Sequence, residues 1–377
     1  MKRLLPYLLI LGVVSACQTT TTGRDEAKTV DSTQDAPPPT ATDTGATVRP
    51  VLVTDTVKHD TDDPAIWINL LDPRQSLVLG TDKDEDGALY VFDLNGKVDA
   101  KRTVRGLKRP NNVDLVYGLM LKGQPQDLAV VAERYTGRLR IFGLPNMQAV
   151  DNGGIPIFVG DTAREPMGIA LYKRPQDGAV FAIAGRKTGA SGSYLWQYRL
   201  QDDGTGQVKA TLVRKFGQYS GKKEIEAIAV DNELGYVYYS DEQVGVRKYY
   251  ADPDKKDDTE LALFATQGFA EDHEGISIYK INDGTGYLLV SDQGADRFQV
   301  FPREGSVGNP HAHPLLRTIR VQAHASDGSD VTHVPLGDRF PSGLFVAMSD
   351  NKTFEFYSWD DLAAGHLKKA PNGLGRQ

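Results

Sequence analysis

Carboxylates and basic side chains recur in this chain beside short apolar runs. Asp62-Asp63, Asn111-Asn112, Glu165, Glu224 with Glu226, Asp272 with Glu274, and Asp327 with Asp330 each lead such a run. A second series follows other apolar runs: Lys83, Arg134, Arg186, Lys187, Asp241-Glu242 and Asp292. Brought together, the acids would repel and desolvate one another, which raises their pKa values or recruits cations. Oxygen ligands on loops of variable geometry suit Ca²⁺, which takes six to eight of them, better than Mg²⁺ or Zn²⁺. Lysines and arginines beside such a cluster are what a multiply charged phosphate ligand needs. Asp, Asn and Gly also form turns, so each acid taken singly has a structural reading too. The tight run Asp82, Asp84, Glu85 and Asp86 reads that way.

Whether these groups meet depends on the elements that carry them. An aromatic-ended strand recurs as LYVFDLNG, LRIFGLPN, LWQYRLQD, VRKYYADP, FQVFPREG and FEFYSWDD, with its aromatic at Phe92, Phe142, Tyr198, Tyr249, Phe301 and Tyr357. The intervals are 50, 56, 51, 52 and 56 residues. Each copy follows another apolar strand, and that strand follows a third, with little helical periodicity before Asp360–Leu367. Three or four strands per unit of about 50 residues is the size of one propeller blade. The fold expected is therefore all-β, a six-bladed β-propeller over 49–377, with the strand near Val51–Val53 closing the last blade. A two-domain β-sandwich would not produce six similar periods. In a propeller the innermost strands line the axis, so their leading residues crowd one mouth of the channel. The acids and the basic loop residues would then share one face.

Composition narrows the function further. The 377 residues carry 43 Lys+Arg against 50 Asp+Glu, a formal charge of −7, which argues against nucleic acid as a partner. One cysteine allows no intramolecular disulfide and no cysteine-based zinc site. No H-E-x-x-H, Arg-His-Gly or C-x₅-R pattern occurs, which removes zincin, phosphohistidine and cysteine-phosphatase chemistry.

That cysteine ends the leader MKRLLPYLLILGVVSAC, in which Lys2 and Arg3 precede an apolar stretch too short to span a bilayer comfortably. Val14-Ser15-Ala16-Cys17 resembles the lipobox of bacterial lipoproteins. The resemblance implies a signal peptide over 1–17, cleavage before Cys17 and acylation of its thiol. The chain would then be secreted across the inner membrane and anchored to a lipid bilayer. Gln18 points to the outer membrane, facing periplasm or exterior. Residues 18–48, rich in Thr, Asp, Ala and Pro, read as a disordered tether.

Two stretches carry a second resemblance. Asp62-Asp63-Pro64-Ala65-Ile66-Trp67 and Asn111-Asn112-Val113-Asp114-Leu115 resemble paired signatures of the β-propeller phytases, calcium-dependent enzymes of 3-phytase type. Glu226 in EIEAIAVDNELG, Asp272-His273-Glu274-Gly275 and Ser291-Asp292-Gln293-Gly294 agree in order and spacing, so the similarity covers about 50–361. It implies hydrolysis of phytate (myo-inositol hexakisphosphate) or other inositol polyphosphates, as calcium complexes, by direct attack of calcium-bridged water. Several calcium ions would be held by Asp62, Glu226, Glu274 and Asp327 at the cleavage site, with Glu242 and Asp272 completing the cluster. Asp63 and the carbonyl of Val113 would hold a structural calcium. Lys83, Arg134 and either Arg186 or Lys187 would bind phosphates, and the protein would act as a monomer.

The chain departs from the family at Met167, where a Tyr is frequent, and at Asp84, where a second Lys can follow the first. Both changes are expected to weaken phosphate binding without removing the calcium cluster. Two alternatives share the fold: a non-catalytic surface propeller acting as a binding module, and a calcium-dependent lactonase-type hydrolase. Neither has a use for Lys83 and Arg134.

Overall fold

The computed structural model describes residues 42–43 and 45–371. Cys17, the expected leader and most of the expected tether lie outside the described residues. Six antiparallel sheets follow one another along the chain. Blade 1 runs outward from Thr61–Trp67 through Leu77–Asp82 and Gly87–Phe92 to Val104–Leu107. Blade 2 starts on Pro110–Leu121, blade 3 on Pro166–Lys173, blade 4 on Ile228–Asp231 and blade 5 on His273–Lys280. Blade 6 consists of Ser329–Thr332, Leu344–Ser349 and Thr353–Ser358, and its outermost strand is Leu52–Val53 from the other end of the chain. Leu52 pairs with Phe356 and Val53 with Glu355, so the ring is closed by the strand expected to close it. The innermost strands neighbour one another in chain order, and that of blade 6 packs beside that of blade 1. The fold is a six-bladed β-propeller.

The periodic aromatics explain why the ring holds. Phe92, Phe142, Tyr198, Tyr249, Phe301 and Tyr357 are all buried, each on the third strand of its blade. Each packs into an apolar cluster shared with a neighbouring blade, so every blade-to-blade seam has its own core. A fully buried aromatic contributes about 2 kcal/mol. Contact across the last seam is tight: a Cβ on Gly80 of blade 1 would stand 2.2 Å from the Phe354 ring of blade 6. The only α-helix among the described residues, Trp359–Ala363, stacks Trp359 on Tyr279 with centroids 3.6 Å apart.

Ordered backbone begins ahead of the boundary expected at residue 49. Thr42–Asp43 pairs in parallel with Arg317 and Thr318 at the outer edge of blade 5, and Val48 bridges Val321. An edge strand presents a row of unpaired backbone groups, and this segment covers them.

Two features of the innermost strands position the site. The ladder slips between Thr61 and Pro64, Pro110 and Val113, Pro166 and Ile169, and His273 and Ile276. The bulged dipeptides are Asp62-Asp63, Asn111-Asn112, Met167-Gly168 and Glu274-Gly275. A bulge re-aims side chains locally. Deeper in the ring, two aspartates clasp blade to blade. The Asp330 carboxylate accepts the Ile66 N–H at 2.7 Å, and that of Asp114 accepts the Leu171 N–H at 2.6 Å.

Candidate active site

At the mouth of the channel, acids from four blades face one another. The bulge in blade 1 puts Asp62 beside Asn111 of blade 2, whose amide donates to Asp62 Oδ2 and to Glu226 Oε1, both at 3.0 Å. Glu226 reaches this place because blade 4 crowds Gly168 of blade 3. A Cβ at Gly168 would fall 1.9 Å from the Glu226 carbonyl oxygen. Asp327 enters from the loop before blade 6, where its carbonyl accepts the Gly275 N–H at 2.6 Å. Lys83 Nζ lies 3.3 Å from Asp62 Oδ1 and also bonds Asp327, whose other oxygen accepts the Gln293 amide.

A second group adjoins the first. Oxygens of Glu242, Asp272 and Glu274 all lie within 4.8 Å of one another, and so do those of Glu224, Glu226 and Glu242. Glu242 belongs to both triads. Lys223 Nζ stands 3.0 Å from Glu242 Oε2 and bonds Asp272, whose other oxygen accepts the Gln243 amide at 3.0 Å.

These acids are poorly compensated. Burial drives the Asp62 carboxyl well above its ordinary range; Glu226 and Asp327 add to this, and Lys83 opposes it. Glu274 is driven up by burial and then by Glu242, Glu226 and Asp327. Glu242 is pushed up to about 8 by burial, against the pull of Lys223. Glu226 is raised by burial and by Asp327, while Lys83 and Arg134 hold it down. Burial also works against the charge on Lys83, but Asp62, Asp327 and Glu226 outweigh it and its pKa rises.

Several oxygens here have no partner. Glu242 Oε1, Glu274 Oε2, Asn111 Oδ1 and Asn112 Oδ1 are buried without a hydrogen bond. Such atoms are costly unless something else engages them. The donor set is all oxygen and mostly carboxylate, which is the chemistry of a hard divalent cation. The acid clusters therefore fit a metal.

The structure brings Asp62, Glu226, Glu242, Asp272, Glu274 and Asp327 together. Asp63 points down the bulge instead. Its Oδ2 accepts the Val113 N–H at 3.1 Å, and it lines an axial cavity of about 420 Å³ with Asn112, Asp114 and Asp330. Among the basic residues, Lys83 lies within the cluster. Arg134 is buried close enough to lower Glu226; its guanidinium touches the Met167 thioether and its Nε has no partner. Thioether sulfur is a weak acceptor. Lys187 Nζ lies 3.6 Å from Glu224, with its side chain 48% exposed. Arg186 is placed elsewhere. It is sealed in the wall between blades, 2.8 Å from Asp161 and with its guanidinium over Phe158 and Trp196.

Two acids of the second series, Asp241 and Asp292, are consumed by the scaffold, and Glu165 of the first is exposed. Asp241 accepts from Ser220 and Arg247, and Asp292 from the Ala270 N–H and Arg297. The run from Asp82 folds as a turn: Asp82 accepts the His59 and Asp60 N–H groups, and Asp84 accepts that of Asp86. Lys223, Gln243 and Gln293 escaped the sequence reading. The pair Lys222-Lys223 directly precedes Glu224 and was the available signal.

A closed propeller whose mouth carries metal-capable acid triads among lysines and arginines defines a class of metal-assisted enzymes for anionic substrates. The family model described as Phytase matches residues 14–368. A 3-phytase of Bacillus subtilis (strain 168) is 29% identical over 328 residues, covering 82% of this chain and 82% of that protein. The chain belongs to the phytase family, and it is a phytase enzyme.

Proposed function

We propose that this protein hydrolyses phosphomonoesters of phytate, and of other inositol polyphosphates, using calcium ions held by Asp62, Glu226, Glu242, Asp272, Glu274 and Asp327. The observation that carries the reading is the pair of oxygen triads sharing Glu242, set beside Lys83 and Arg134. When bound, calcium supplies a water of lowered pKa for in-line attack and offsets charge on the phosphoryl oxygens. A further, structural calcium is assigned to Asp63 and the Val113 carbonyl.

The chain's own groups handle the polyanion. Lys83, kept cationic by its three acid neighbours, offers N–H donors at the cluster itself. Arg134 has a buried, unpartnered Nε and gives up little by turning from Met167 to a phosphate. Lys187, half in solvent at Glu224, takes a neighbouring phosphate, while Arg186 stiffens the wall beneath it. Asn111 holds Asp62 and Glu226 at a fixed separation. Each of the six seams is completed within one chain, which supports action as a monomer.

Phosphate release from phytate by the purified protein is the test. Activity should appear with added Ca²⁺ and stop with EGTA; activity that persists in EGTA sinks the calcium reading. We also propose anchoring through acylated Cys17 at the outer membrane. Radiolabelled palmitate should enter the wild type and not Cys17→Ser; equal labelling excludes that anchor.

A further inference from the structure

Lys223 has no place in the substrate set above, yet it sits on three of the metal-fitting acids. Its Nζ is 3.0 Å from Glu242 Oε2 and 4.0 Å from Glu274 Oε1, and it bonds Asp272. Those are the members of one oxygen triad. The ammonium thus holds the position of positive charge that a metal ion would hold. Its neighbour in the chain, Lys222, instead directs its Nζ to the Gln243 carbonyl at 3.5 Å.

An ammonium seated among these oxygens competes with a metal ion for the same lone pairs and repels it. A lysine ammonium on a four-carbon stem has somewhere to go, because the Lys223 side chain is 37% exposed, whereas that of Lys83 is 15% exposed. Without Lys223 the triad would be an uncompensated group of buried acids, since Glu242 Oε1 and Glu274 Oε2 have no hydrogen-bond partner. With Lys223 in place, the triad is partly neutralised but closed to another cation.

We propose that Lys223 is an internal competitor for the metal: it neutralises Glu242, Asp272 and Glu274 in the metal-free protein and must swing out before calcium binds. This rests on the calcium reading above and deepens it. A site available only when its lysine has left binds more weakly by the fraction of time it is open. Lys223 therefore sets the calcium concentration at which the enzyme switches on, and keeps the empty propeller folded below it.

The test uses the full chain as wild type, Lys223→Met and Lys222→Met, two variants with the same change in net charge. Calcium binding is followed by calorimetry and melting is followed in EGTA. Half-saturating calcium should fall about tenfold in Lys223→Met, as expected for a lysine that occupies the site roughly nine-tenths of the time. It should move less than about twofold in Lys222→Met, which changes only screened, longer-range charge. In EGTA, Lys223→Met should melt below both other proteins, and Lys223→Arg should restore wild-type behaviour. Equal shifts in the two Met variants overturn the proposal, as does weaker calcium binding in Lys223→Met. Lys223→Gln repeats the comparison if the Met variant does not fold. No heat of calcium binding in any of the proteins overturns the calcium reading and the competition with it. That failure is distinct, because the EGTA melting points still report whether Lys223 neutralises the triad.

Discussion

Two sets of carboxylates lie along the same channel and behave in opposite ways. In the throat, each of Asp114 and Asp330 accepts two backbone N–H groups, one from its own strand and one from the next blade. Burial pushes both up to about 7, yet their oxygens are occupied and their work is to clasp the ring. At the mouth, Glu242 and Glu274 face other carboxylates and a lysine, and each keeps a buried oxygen without a partner. The residue class is alike in the two regions, and the throat acids are the less buried; what differs is whether a backbone donor reaches the oxygens. Acids saturated by amides are structural, and acids left facing one another are available to a cation.

Substitution separates the two sets. Glu274→Gln keeps the shape of the side chain and removes one charge from the triad. Phosphate release should fall by about 100-fold or more while the folded state persists, the scale seen when one electrostatic contributor to a transition state is lost. Activity within a factor of two of wild type would put Glu274 with the structural acids.

The same contrast applies to the cations. Arg186→Ala should cost about 3 kcal/mol in stability by chemical denaturation, because it removes a large buried side chain from the wall and leaves a cavity against Phe158 and Trp196. Lys187→Ala should leave stability within about 0.5 kcal/mol and raise KM for phytate several-fold. Reversed outcomes would exchange their roles.

The smallest effect is expected in the throat. Asp330→Asn removes a titration but retains one acceptor, so about 1 kcal/mol should be lost near pH 5. Folded Asp330 titrates at about 7 against an ordinary 3.8, so between those values the folded chain holds a proton that the unfolded chain has released. Its contribution is full below the lower value and is lost as pH rises through the upper one. The wild type should therefore lose stability relative to Asp330→Asn from pH 5 to pH 8, until the variant is the more stable of the two; a wild type that gains on the variant over that range would contradict the raised value.

Much of this was legible in the sequence because a propeller repeats. Phe92 through Tyr357 recur at blade intervals because each fills the equivalent place in its own seam, and the acid pairs Asp62-Asp63 and Asp272 with Glu274 precede apolar strands because bulges stand at those strand heads. What stayed hidden depends on positions finer than a period. Asp330 and Asp327 look alike in the chain, and only the approach of Ile66 makes one of them a clasp. Arg186 and Lys187 are adjacent, and the strand Val180–Arg186 ends between them, with the first held in the wall and the second past the strand end at the rim. Lys223 lies on the loop ahead of the Ile228–Asp231 strand, outside the apolar runs that carry the repeat, and only the fold sets it against Glu242 and Asp272.

The central claim is that the mouth acids hold the metal and the throat clasps do not. An anomalous-difference map from calcium-soaked crystals of this protein tests it most directly. The account predicts peaks among Glu242, Asp272 and Glu274 and around Asp62, Glu226 and Asp327, with a further one at Asp63 and Val113. A mouth without peaks in crystals of active protein would contradict it.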